Sequence, residues 1–376
     1  MPADSSVPTP RKRRIRRLTL LVAALAVGVC APSASAAPAP GPIGGAWGGG
    51  DPAGQVTTAV ARSASVTARR ARAVRRERRS KARARNPLDE LPLYVEPRGP
   101  AHAQANAWRG SRPSDAELIR SIAAQPQSLW LGDWRYNVRA EAAKRVAAGR
   151  RAGAVPVIVA YNAPNRDCGQ HSSGGASGAA AYRRWIDGLA DGIGASPAIV
   201  VLEPDGLAGI GCLSRAQRKE RLRLMADAVD RLSHLPATAV YIDAGNPGWI
   251  RPAVMARRLR AVGIAGARGF AVNVSGFDTT AHAIAFGRAI SRRTRGAHFV
   301  IDTSRNGLGR LPGEWCNPAG RALGERPGTA TGDPRVDAFL WVKRPGESDG
   351  SCNSGPPAGT WWPEYALGLA QRAPIR

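Results

Sequence analysis

The chain has 376 residues, 43% of them hydrophobic, and carries 54 Lys and Arg against 28 Asp and Glu for a net charge of +26. That length and apolar share allow one large domain with a substantial core plus extensions, which confines any expected disorder to the ends. No Walker loop, dinucleotide fingerprint or recognisable nucleic-acid module accompanies the charge, so nucleotide chemistry and specific nucleic-acid binding are excluded as readings.

Arg11 to Arg17 is a basic cluster, Leu18 to Val29 an apolar stretch, and Ala34-Ser35-Ala36 a small-residue cleavage pattern. Residues 1–36 therefore have the form of a secretory signal peptide, which predicts a secreted, extracellular or cell-surface protein that loses Cys30 with the signal. A membrane-spanning helix needs about twenty apolar residues, more than this stretch supplies. Arg13-Arg14 and Arg16-Arg17 leave twin-arginine and general export both open. Residues 37–86 are rich in Ala, Pro, Gly and Arg, with almost no large apolar side chain to offset ordering entropy, and are expected to be disordered. Residues 1–86 hold seventeen basic and three acidic side chains, so the remaining +12 of the net charge belongs to the globular part. The Arg-rich segment is either a solvated linker or a tether to an anionic envelope surface.

From about Pro87 the chain turns globular. Six apolar runs end in polar or aromatic residues: Val157 to Ala160 before Tyr161, Ala198 to Leu202 before Glu203, Ala239 to Ile242 before Asp243, Phe270 to Val272 before Asn273, Phe299 to Ile301 before Asp302, and Phe339 to Val342 before Lys343. Continuous apolar runs of this length are strands buried on both faces, as in a parallel sheet. They recur roughly thirty to forty residues apart, the length of a strand plus a crossover helix. Ala180 to Gly192, Arg215 to Leu232, Ala253 to Val262 and Ala281 to Arg293 carry the three- and four-residue apolar spacing of those helices. The expected fold is an α/β barrel whose polar strand ends form a functional rim. Pro204, between Glu203 and Asp205, ends its strand and turns both carboxylates toward that rim.

Four cysteines remain after processing: Cys168, Cys212, Cys316 and Cys352. An even count in an exported chain suggests two disulfides with three possible connectivities, and chain order favours Cys168–Cys212 and Cys316–Cys352. No close Cys pair and no ligand spacing among the five histidines supports a metal site, so no metal or other cofactor is expected.

In order along the chain, Leu93-Tyr94-Val95 to Trp108, Tyr161-Asn162-Ala163-Pro164-Asn165-Arg166-Asp167-Cys168, Glu203-Pro204-Asp205, Tyr241-Ile242-Asp243-Ala244-Gly245, Asn273-Val274-Ser275, Asp302-Thr303-Ser304-Arg305-Asn306-Gly307, Trp315-Cys316-Asn317-Pro318 and Trp341 through Gly350 resemble glycoside hydrolase family 6. The resemblance covers residues 87–376. It implies a distorted, incomplete barrel of about seven parallel strands, β-1,4-glucan as substrate, and hydrolysis with inversion at the anomeric carbon.

Inverting hydrolysis needs a protonated carboxylic acid at the glycosidic oxygen and a carboxylate that activates water on the opposite face. Asp205 is the expected general acid. An unperturbed Asp ionises near pH 3.9, so a neighbouring carboxylate must hold its proton in place, and the resemblance assigns that part to Asp167. By the same resemblance Asp349 is the candidate base, acting directly or through water. Tyr161 presses on the distorted sugar, and Ser173 orders the water. Lys343 and Glu347 bind hydroxyl groups, with Asn246 and Asn273 as further sugar contacts. Asp243 and Asp302 stand at the rim without a distinct role. Trp130, Trp249 and Trp315 match sugar platforms, since indole faces stack on pyranose rings, whereas Trp185, Trp361 and Trp362 are expected in the core.

Two positions depart from the family: Asn246 stands where several members have histidine, and Gly276 where asparagine is common. Both bear on substrate fit rather than on reaction type. The short connection from Asp349 to Cys352 points to an open cleft, hence to an endoglucanase acting as a monomer. Alternatives are a cellobiohydrolase of the same family and a non-catalytic glucan-binding or envelope-adhesion protein.

Overall fold

The computed structural model describes residues 86–89 and 92–373. The expected signal peptide and nearly all of the Arg-rich segment lie outside the described residues. Within them, seven strands form one parallel sheet in strictly sequential order: β1 (Leu129–Leu131), β2 (Val157–Ala160), β3 (Ala198–Leu202), β4 (Thr238–Asp243), β5 (Gly269–Val272), β6 (His298–Asp302) and β7 (Val336–Leu340). Helices α1 (Pro100–Trp108) and α2 (Pro113–Ala123) precede β1. Then α3 (Val138–Arg151), α4 (Ala179–Ile193), α5 (Arg215–Ser233), α6 (Pro252–Ala261) and α7 (Thr280–Arg293) each connect one strand to the next, and α8 (Pro363–Gln371) closes the chain. The sheet curls into an incomplete α/β barrel, as expected.

Helix starts follow local chemistry. Asn137 and Thr279 accept from the third residue of α3 and α7, Ser214 forms a reciprocal capping box with Gln217 on α5, and proline opens α1, α2, α6 and α8. Strand side chains divide by alternation. Ile158, Val200, Leu202, Ile242, Phe270 and Phe299 pack outward against the helices. Val157, Val159, Ile199, Val201, Tyr241, Ala271, Val300 and Leu340 fill the interior, where smaller side chains suit the narrow space.

Two elements differ from the sequence pattern. β1 has only three residues, too short for its apolar run to stand out. β7 begins at Val336 rather than Phe339, because its register shifts: Val336 pairs with Phe299 and Ala338 with Val300, leaving Asp337 as an extra residue. Beyond Leu340 the chain leaves the ladder and meets β1. Ser128 N donates to Trp341 O at 3.3 Å, the Ser128 hydroxyl donates to Val342 O, and Trp130 Nε1 donates to Val342 O at 2.8 Å. These bonds join the first and last strands where no ladder does. A third cluster, built from α1, α2, α8 and Trp341, covers that seam.

The bulge turns Asp337 toward a buried group at the strand starts, far from the rim. Its carboxylate accepts from Arg268 Nε and Nη2, both at 2.7 Å, from Tyr241 Oη at 2.7 Å, and pairs with His298 Nδ1 at 2.9 Å. Burial acts to raise its pKa, but the bonds from His298 and Arg268 outweigh it and hold the group below the ordinary carboxylate range. Asp337→Ala removes the buried carboxylate that Arg268, Tyr241 and His298 share, an expected loss of about 3–5 kcal/mol. Urea unfolding monitored by fluorescence reads this loss, and glucan turnover at 25 °C should stay near wild type.

Candidate active site

The C-terminal strand ends open onto a cleft of about 870 Å³. Trp130, Tyr161, Asp167, Ser173, Asp205, Asn246, Trp249, Trp315, Lys343, Glu347 and Asp349 all line it. Asn273 does not. It is fully buried, its Nδ2 donates to Asp278 O and Asp302 O, and its Oδ1 accepts from Asp278 N. Both amide hydrogens and one oxygen lone pair of Asn273 are thus spent on folding the β5 loop, and the residue lies beneath the cleft rather than on its lining.

Asp205 follows β3 in a left-handed backbone conformation, φ +63°, as does Glu203 at φ +50°. Neither is glycine, and such positions cost of order 1 kcal/mol or more unless the surroundings hold them. The neighbouring strand ends supply the hold. Asp243 Oδ2 accepts from Asp205 N at 2.9 Å and from Gly245 N at 3.0 Å. Glu203, fully buried, accepts from Asn162 N and Ala163 N of the β2 loop. On the other side, Arg221 of α5 donates to Gly206 O at 3.1 Å and also bonds the β2 loop at Pro164 O.

The electrostatics follow from this crowding. Burial, and then the charge of Asp167, push Asp205 up to about 7. Asp243 is also pushed well above its ordinary value, by burial and then by Asp205. Asp243 Oδ2 is taken by two backbone N–H groups, while its Oδ1 has no hydrogen-bond partner among the described residues. The clustered carboxyl groups therefore retain protons near neutrality.

Asp167 is fixed by its own loop, where Ser172 N donates to its Oδ2 at 2.7 Å. The adjacent Cys168 is disulfide-bonded to Cys212, joining the β2 loop to the β3 loop. Arg166 organises the rest of this loop. Buried, it donates to Tyr161 O, Ser172 O, Ser173 O and the Asp133 carboxylate, and its guanidinium lies 4.6 Å from the Tyr161 ring and 5.0 Å from that of Trp134. Burial and then the charges of Asp205 and Asp167 raise the Tyr161 hydroxyl, so it remains a neutral phenol.

Asp349 has the opposite environment. Burial acts to raise its pKa, but Arg305 and Lys343 outweigh it and keep the group below the ordinary carboxylate range. Arg305 Nη1 donates to its Oδ2 at 2.9 Å, Lys343 Nζ lies 3.3 Å from its Oδ1, and Asn317 N donates to Oδ2 at 3.0 Å. Asn317 Oδ1 accepts from Asp349 N in return, and the neighbouring Cys316–Cys352 disulfide joins the β6 and β7 loops. Both disulfides thus have the connectivity that chain order favours. Asp302 completes the frame by accepting from Ser275 N, Ser304 N and Lys343 N. Glu347 pairs with Arg344 at 2.8 Å.

Trp249 is 53% exposed and Trp315 47%, so their faces are open to a ligand. Trp134, 50% exposed, also lines the cleft, 6.4 Å from the Tyr161 ring. Sequence reasoning passed over it, although it directly follows the Leu129-Trp130-Leu131 segment. The bonds by which Asp243 holds Asp205, Arg166 holds its loop and Arg305 holds Asp349 were likewise missed. One close approach crosses the cleft: a Cβ on Gly350 would lie 2.5 Å from His171 Cγ. The loop that carries Asp167 and Ser173 therefore meets the one that carries Asp349. His171 also lies near Cys316 and Cys352, but those sulfurs are bonded to other groups or to each other and do not form a metal site.

Because Asp205 is raised in the folded chain to about 7, against about 3.9 unfolded, the native state binds an extra proton between those values. Stability from this group therefore falls as pH rises from about 4 to about 7. Asp205→Asn removes the ionisation, so its melting temperature should exceed that of wild type at pH 8 and the gap should narrow at pH 5. Calorimetry at both pH values checks the sign.

The family model described as glycosyl hydrolases family 6 matches residues 88–373. Endoglucanase A of Cellulomonas fimi is 46% identical over 284 residues, covering 75% of this chain and 61% of that protein. Endoglucanase 1 of Streptomyces halstedii is 41% identical over 307 residues, covering 74% of this chain and 94% of that protein. The solved structure of the endoglucanase Cel6 from Mycobacterium tuberculosis, in complex with methyl-cellobiosyl-4-deoxy-4-thio-β-D-cellobioside, matches with a TM-score of 0.74 and 48% identity, over 77% of this chain and 99% of that one. This chain therefore spans about three fifths of the Cellulomonas protein but nearly all of the Mycobacterium one. With the model covering the described barrel from end to end, the chain belongs to glycosyl hydrolase family 6.

Proposed function

We propose that the protein is an endo-β-1,4-glucanase that cleaves internal bonds of cellulose or soluble β-1,4-glucan with inversion. The observation that carries this reading is the contrast between two carboxyl groups lining one cleft. Asp205 is raised to about 7 and retains a proton, whereas Asp349 is held ionised by Arg305 and Lys343. That is the division of labour an acid and a base require.

Glucan lies along the tryptophan faces, with Tyr161 beneath the ring that distorts. Asp205 gives its proton to the departing glycosidic oxygen as the bond breaks, and water adds to the opposite face. Asp349, clamped by two cations, is a weak Brønsted base. Its part is to receive the proton that water releases, relayed through the water held near Ser173 and Asp167. Asp243 acts through Asp205 by fixing its backbone, Asp205 N donating to Asp243 Oδ2.

Relatives named endoglucanases at 41–46% identity support the endo reading. The exo-acting alternative draws on the His171–Gly350 approach, which an internal chain segment must part or pass beneath. Viscosity and reducing ends of a soluble β-1,4-glucan, followed together, separate the two: an early fall in viscosity supports endo action, and a fall no faster than reducing ends appear overturns it. Asp205→Ala is expected to lose about 10²- to 10⁴-fold in kcat while still binding glucan, and wild-type product should be the α-anomer. A wild type that binds glucan without turnover favours the non-catalytic reading instead.

The pH profile follows from the same groups. Activity requires Asp205 protonated, so the rate should fall as pH rises through about 7. Because Asp349 ionises below the ordinary carboxylate range, the acid limb should lie below pH 4. Initial rates from pH 3 to 9 check both limbs.

Secretion through residues 1–36 and tethering to an anionic envelope by the Arg-rich segment belong to the same reading. Deletion of residues 37–85 should release the protein from the producing cell's surface.

A further inference from the structure

Between Asp243 and Asp302 the chain has nine arginines and a single carboxylate, Asp278. Two of the nine are neutralised within the fold, Arg268 by Asp337 and Arg288 by Asp333. The others include Arg260 near the end of α6 and Arg292 and Arg293 in the last turn of α7, with Arg295 just beyond. Arg335 immediately precedes β7. Two side-chain bonds bring Arg260 and Arg335 to the end of α7, where Arg292, Arg293 and Arg295 follow one another in the chain: Arg260 Nη1 donates to Arg293 O at 2.6 Å, and Arg335 Nη1 donates to Gly296 O at 2.8 Å. All five are exposed, and none makes an ion pair among the described residues.

Topology gives the cluster its position. Helices α6 and α7 lead into the starts of β5 and β6, so their C-terminal ends lie opposite the strand ends that build the cleft. Arginine in a last turn offsets the helix dipole by a few tenths of a kcal/mol, and each helix gains this separately. Bringing the charges onto one face gains nothing for the fold, since like charges repel. A face of one sign with no internal counterion has the character of an electrostatic docking surface.

We propose that the base of the barrel, centred on Arg260, Arg292, Arg293, Arg295 and Arg335, binds a phosphate-bearing linear polyanion while the glucan cleft at the opposite end stays open. Guanidinium groups pair bidentately with phosphate oxygens. A bilayer is disfavoured as partner. Stable attachment to lipid calls for apolar side chains as well as charge, and among the described residues the exposed large apolar ones, Trp134, Tyr136, Trp249, Leu308 and Trp315, all stand on loops at the cleft end.

The test uses the full chain on immobilised long-chain inorganic polyphosphate, with retention measured across a salt series. Replacing Arg292, Arg293 and Arg295 by Gln should lower the slope of log K against log salt by about two to three, one released counterion per lost contact. Soluble-glucan hydrolysis and melting temperature should not change. A second variant, Arg260→Gln with Arg335→Gln, should lower the slope by about one to two, which separates a charge effect from a local folding defect in either loop. An unchanged slope in both variants overturns the proposal: the arginines then serve only their helix ends, and the N-terminal segment carries any retention. Binding to phosphatidylglycerol vesicles but not to polyphosphate overturns it in favour of a membrane surface. Loss of glucan hydrolysis in wild type would count against the catalytic reading alone, because retention is read independently.

Discussion

A carboxylate at the end of a buried strand, bonded to backbone N–H groups of its neighbour, is the constraint on which this site depends. Glu203 holds the β2 loop, Asp243 holds the β3 loop, and Asp302 holds the β5 and β7 connections. Bonds from backbone N–H groups offset part of the cost of burying these carboxyl groups, and those from Asp205 N and Ser275 N hold two residues in the left-handed region. Asn165, Asp167, Cys168, Glu203, Asp205, Asn273 and Ser275 all have φ between +50° and +63°. Strain is concentrated where chemistry is done, and the neighbouring strand supplies what maintains it.

Asp205 and Asp349 then differ because of what surrounds equally ordinary side chains. Around Asp205, burial and then the charge of Asp167 oppose proton loss. Around Asp349 they are Arg305 and Lys343, so proton gain is opposed. The two disulfides run in parallel with this division, one joining the loops of Asp167 and Asp205, the other joining the loops beside Asp349. Each of the two carboxyl environments has its own covalent brace.

Much of the fold was legible because a parallel sheet writes itself as continuous apolar runs. Val157–Ala160 and Ala198–Leu202 stand in the structure with the bounds that the runs suggest. β1 escaped because three residues carry no periodicity, and β7 was displaced because a bulge at Asp337 cannot be read from hydrophobic pattern. At the site, motif resemblance located the side chains that line the cleft. It did not reveal Asp243 as the support of Asp205 or Arg166 as the organiser of its loop, since those functions lie in bonds to backbone atoms. Asn273 shows the same limit from the other side: an amide at a strand end looks available for a ligand until the backbone groups it satisfies are known.

The sequential strand order has a consequence for how the molecule comes into being. Neighbours in the sheet are neighbours in the chain, so the wall from β1 to β6 can assemble locally as synthesis proceeds. The seam is different, because Ser128 and Trp130 from one end must wait for Trp341 and Val342 from the other. Lys343 and Asp349 arrive with that last segment, directly beyond the bonds that close the ring. A chain interrupted before β7 would possess Asp205 with its supporting carboxyl groups but no Asp349 to face it. Closure of the seam and completion of the cleft lining arrive in the same step.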